Sequence, residues 1–178
     1  MNITGDHHVP FLANNSGQKK LVFGLAGAVL LGIILMVAAS FGSGDGYREQ
    51  LSQALVSQQS LQTVAGQISE LEVTDRIKNT ATTAELTAAT SYAQLSGNWQ
   101  TLYGKKLPLA ADVSDETNSL AAAEISSSTS EVSTIILSNH LQASLNAISA
   151  LEKEVSEPLL LQQLANTRAD LAELLGQI

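Results

Sequence analysis

Apolar positions along this chain fall into two regimes. From Leu21 to Phe41 they form the run LVFGLAGAVLLGIILMVAASF, twenty-one positions without a charge. From Tyr47 onward they recur every three or four residues, the spacing of an amphipathic helix, and no strand-like alternation competes. As a helix, the first segment would be about 31 Å long, close to the thickness of a bilayer's hydrocarbon core. Only a helix or a closed barrel satisfies backbone groups in that medium, and the run is too continuous for a barrel strand. The pattern therefore predicts a membrane-spanning segment followed by a helical domain.

Within the domain, Leu51, Leu55, Leu61, Val64, Ile68 and Leu71 predict a first helix from Tyr47 to Arg76. Arg76 and Lys78 would then favour its C-terminal dipole, and Asn79 would supply a left-handed cap. A second helix is expected from Thr82, where Thr82-Thr83-Ala84-Glu85 matches a capping box. Its stripe is Ala88, Tyr92, Leu95, Trp99 and Leu102, of which Tyr92, Leu95, Trp99 and Leu102 are the expected core anchors. Gly104 and Pro108 end it. A single helix over residues 114–155 would be about 60 Å long, so a break is expected in the polar run Ser126–Ser130. There Ser128-Thr129-Ser130-Glu131 offers another capping box; one continuous helix is the alternative. Pro158 opens the last helix, whose stripe Leu160, Leu164, Thr167, Leu171, Leu174 and Ile178 adds the anchors Leu164 and Leu171.

The expected fold class is all-α: an N-terminal single transmembrane helix followed by an antiparallel up-and-down bundle of four to five helices. The expected organisation is a disordered cytoplasmic tail over 1–18, the span with its basic flank over 19–41, a Gly/Ser linker over 42–46 and an extracytoplasmic helical bundle over 47–178. No repeat of fixed period suggests a solenoid.

Charge sets the orientation. Lys19 and Lys20 abut the span on its N-terminal side, whereas Gly42-Ser43-Gly44 follows it, so the positive-inside tendency places the tail in the cytoplasm. Beyond residue 44, seven bases face sixteen acids, a net of −9 within a whole-chain −8. An acidic domain repels phosphate backbones, which argues against nucleic acid as a partner. Val37-Ala38-Ala39 before Ser40 could serve as a signal-peptidase site, giving a secreted helical protein as an alternative. Gly24, Ala28 and Gly32 share one face of the span, and small residues at that spacing allow close packing of membrane helices and homo-oligomerisation.

Candidate chemistry is sparse. The chain has no cysteine, which removes disulfides, thiolate metal sites and a thiol nucleophile. His7 and His8 with Asp6 could touch a metal, but lie in the tail. His140 has no Glu three residues before it, so the Glu-x-x-His pattern of di-iron bundles is absent. The acids Glu70, Glu72 and Asp75, and again Asp112, Asp115 and Glu116, suit helix ends. Lys105 and Lys106 beside Gly104 lack the other glycines of a phosphate loop, and no serine sits in a Gly-x-Ser-x-Gly elbow. Tyr92 and Trp99 could stack a ligand but suit packing better. The expectation is a non-enzymatic module with no metal and no cofactor. It would be a single-pass, membrane-anchored protein-interaction or structural bundle whose partners are the bilayer and another protein. The alternative is a sensor-type ligand-binding bundle that signals through a partner.

Overall fold

The computed structural model describes residues 45–104 and 106–178. The tail, the apolar run with Gly24, Ala28 and Gly32, and linker residues 42–44 lie outside the described residues. Five helices and no strand occur among those described: α1 Asp45–Glu70, α2 Asp75–Tyr103, α3 Ser114–Ser126, α4 Thr129–Glu152 and α5 Pro158–Gln177. They form an all-α helical bundle within one compact unit. None of these helices is long and apolar enough to cross a membrane.

Four long helices enclose the core. α1 packs between α2 and α4, and α5 closes the ring against α4 and α2. Cross-helix neighbours fix the directions. Arg48 meets Trp99 while Gly66 meets Glu85, so α1 and α2 run oppositely. Gly46 lies by Glu154 and Ser144 donates to the Ser57 carbonyl, so α1 and α4 also oppose. Because α2 and α4 both oppose α1, the chain must return the length of the bundle between them. Residues 104–113 and α3 make that return.

Leucines fill the core: Leu51, Leu55 and Leu61 from α1, Leu137, Leu141 and Leu151 from α4, and Leu160, Leu164 and Leu171 from α5 are essentially inaccessible. α2 adds Ala81, Ala84 and Ala88, small side chains buried completely. Burying each large aliphatic is worth about 1.5–3 kcal/mol, so the apolar stripes are what organise the bundle. The Ser/Thr-rich stretches remain helical because their hydroxyls bond backward. Ser60, Thr63 and Thr80, for example, donate to the carbonyls of Val56, Gln59 and Arg76.

Several boundaries depart from the sequence reading. α1 ends at Glu70, not Arg76, and α2 begins at Asp75, not Thr82. Leu71 and Val73 pack partly against the core, and Thr74 in extended geometry reverses the chain without glycine or proline. Arg76 and Lys78 therefore sit in the first turns of α2, and Asn79 caps nothing. Arg76 donates to the backbone oxygen of Ile178 at the far end of α5 (3.3 Å), a helix C-terminus that welcomes a cation. Thr82 and Thr83 lie inside α2 with their hydroxyls on Lys78 and Asn79. Asp45 and Gly46, read from the sequence as linker, belong to α1.

Other signals read directly. Gly104 ends α2 at φ 88°, a conformation an L-residue resists. The polar run breaks the third region at Ser127, which is left-handed (φ 58°, ψ 25°). α4 starts there, although Ser128 makes no side-chain cap. Pro158 opens α5, and the Glu157 carboxylate caps it by accepting from the amides of Leu159 (3.0 Å) and Leu160.

Candidate interaction surface

The return segment builds the most distinctive surface of the bundle. Its start is tied down by Trp99, whose indole N–H donates to the Lys106 carbonyl (2.7 Å). Trp99 also stacks at a tilt on Tyr103, with ring centroids 4.9 Å apart. The Arg48 guanidinium lies over both rings, 5.8 Å and 5.4 Å from their centroids. Beside this cluster, burial and then the neighbouring Tyr103 push the Tyr47 phenol well above its ordinary pKa, so it stays neutral.

At the other end of the return, the Ser114 amide donates to the Asp112 carboxylate (2.9 Å) and starts α3. That bond holds the exposed Asp112 carboxyl below its usual pKa. α3 lies on α4 and on the end of α1, where Thr117 and Gln67 exchange hydrogen bonds (3.1 and 3.2 Å). Only Leu120 and Ala123 of α3 are buried among its described side chains. His140 on α4 reaches back to Glu116 (3.2 Å).

Between α3 and α4 runs an open groove of about 620 Å³. Ala122, Ala123, Val132, Ile135 and Ile136 line it, with Asp115 and Glu116 at the end where α3 begins. Ile135 is 54% exposed, and Ile125, three residues beyond Ala122, is 89% exposed. Apolar side chains of that size left in water mark a surface that excludes water only when covered. A second groove between α2 and α5 is smaller, about 320 Å³, and lined by Thr87, Thr90, Gln94, Asn166 and Asp170 around Leu86.

Charge around the first groove has one sign. Every Lys, Arg, Asp or Glu from Leu107 to Glu152 is a carboxylate: Asp112, Asp115, Glu116, Glu124, Glu131 and Glu152. The acids near α1's end and before α3 gather no metal cluster among the described residues. Their places are helix ends, Asp75 in the first turn of α2 and Asp115 and Glu116 in that of α3.

The expected anchors fall as follows. Leu95, Trp99, Leu164 and Leu171 are buried, whereas Tyr92 and Leu102 are half-buried against the core. His140 is half-buried at the α3–α4 contact, and His7 and His8 lie outside the described residues. The groove itself escaped the sequence reading, but a signal was present. Ile135, Ile136 and Leu137 are consecutive, and three successive helix positions spread over about 200°, so one of them had to leave the core. Comparisons with protein-family models, with characterised proteins and with solved structures find no match to this chain.

Proposed function

We propose that the chain is a single-pass membrane protein whose helical bundle stands outside the cytoplasm and presents the α3–α4 groove to a partner protein. The observation that carries this reading is the uncharged run Leu21–Phe41 behind Lys19 and Lys20, whose length matches the hydrocarbon core. α1 begins four residues after Phe41, so an inserted run would hold the start of the bundle within about 15 Å of the headgroups. The α3–α4 groove supports the second half of the reading. It is apolar, open and remote from the start of α1, since Gln67, which touches α3, lies about 33 Å along that helix. The mechanism is presentation: the span fixes the bundle at a membrane, and the exposed face meets its partner there. No step of it requires catalysis.

The absence of cysteine makes the test clean. Membranes containing the full chain would be washed at alkaline pH and sedimented without detergent. The chain should remain in the pellet at full length, and a soluble or shortened product rejects the anchor. A single cysteine at the exposed Asn118 should react with an impermeant maleimide in intact cells; reaction only after lysis rejects the orientation.

A further inference from the structure

We infer that the α3–α4 groove receives a cationic amphipathic helix of a partner protein. The inference rests on the interaction-module reading and names the chemistry of the partner. The floor, Ala122, Ala123, Val132 and Ile136, is made of small and branched aliphatic side chains along two antiparallel helices. Such a trough accepts the ridge of a third helix, whose anchors would recur at i, i+3, i+4 and i+7. α3 spans thirteen residues, about 20 Å, which matches some three and a half turns of an incoming helix.

Charge decides among occupants. The groove lining carries the carboxylates Asp115 and Glu116, and no lysine or arginine occurs anywhere from Leu107 to Glu152. A second copy docking face to face would oppose these acids with their own kind. An anionic headgroup surface would be repelled in the same way. A helix with lysines or arginines flanking its apolar stripe is attracted to these carboxylates and covers Ile135. Complementary charge of this sort chiefly sets encounter rate and selectivity, while the covered aliphatics hold the complex.

The test uses the full chain in nanodiscs of zwitterionic lipid. Bimane is placed on a single cysteine introduced at Ser119, in the groove, or at Thr90, on the opposite groove of the bundle. The probe is a fourteen-residue helix of leucines in the i, i+3, i+4, i+7 pattern and lysines elsewhere, with one tryptophan to quench bimane on contact. Saturable quenching is expected at Ser119 and not at Thr90. Ile135→Lys should weaken it about tenfold or more, and Leu86→Lys, a control of equal charge, should leave it within about twofold. A counterpart peptide with glutamate for lysine should not quench. Equal quenching at both positions, indifference to Ile135→Lys, or equal binding of the acidic peptide overturns the inference. Loss of the anchor reading would show in sedimentation and leave the quenching unchanged, so the two failures are distinguishable.

Discussion

Gln58 lies at the middle of α1 with no accessible surface, and neither end of its side-chain amide has a hydrogen-bond partner among the described residues. An amide stripped of water without a partner costs about 1–3 kcal/mol relative to one that is satisfied. Leucine has nearly the same volume and a similar helix propensity, so Gln58→Leu removes that penalty and leaves the neighbours in place. The expected gain is about 1–2 kcal/mol, allowing for imperfect packing around the branched end. For a domain of this size that raises Tm by roughly 3–8 °C. Guanidinium unfolding of the full chain in detergent, followed by circular dichroism at 222 nm, measures it, with an unchanged m value as the sign of a pure stability effect. Leu141→Ala, made in parallel, should lose about 2–5 kcal/mol and shows that the assay resolves core changes. A Gln58→Leu protein no more stable than the parent would mean that the amide is paired in solution, and the reasoning about its burial fails.

Other consequences are direct. Trp99→Phe keeps most of the packing but loses the bond to the Lys106 carbonyl, so stability should fall by about 1–2 kcal/mol and trypsin should cut after Lys106 several times faster. Gly66→Ala should stabilise by about 0.5 kcal/mol in thermal melts, because the atoms nearest the new methyl are those of the flexible Glu85 carboxylate, from 3.3 Å, while the helix gains propensity. Glu157→Ala leaves two amides of α5 without their cap and should cost about 1 kcal/mol at neutral pH.

The sequence made some of this visible and concealed the rest for identifiable reasons. Gly104, Pro158 and the serine run at 126–130 each announce a break, because each opposes helical backbone through its own chemistry. The turn between α1 and α2 carries no such residue. Leu71 and Val73 look like more of the same stripe, and only their tertiary packing draws the chain out of the helix. Thr82-Thr83-Ala84-Glu85 has the composition of a cap, yet a hydroxyl inside a helix has an equally good partner four residues back, and α2 uses that option. The groove needed the fold, since α3 and α4 lie side by side only because the chain returns along the bundle before α4. What could be read ahead of it was the one-signed charge of residues 107–152 and the apolar triplet Ile135-Ile136-Leu137.

Among the described side chains of α3 only Leu120 and Ala123 are buried, against stripes of five or more buried side chains on each of α1, α2 and α4. Two such anchors give the shortest helix little share in the cooperativity of the ring, so it can peel away while its neighbours stay folded. The amides of α3 should thus exchange with deuterium well ahead of those at Leu55, Leu95 or Leu141. A ligand seated along this helix would then be read first as a slowing of that exchange.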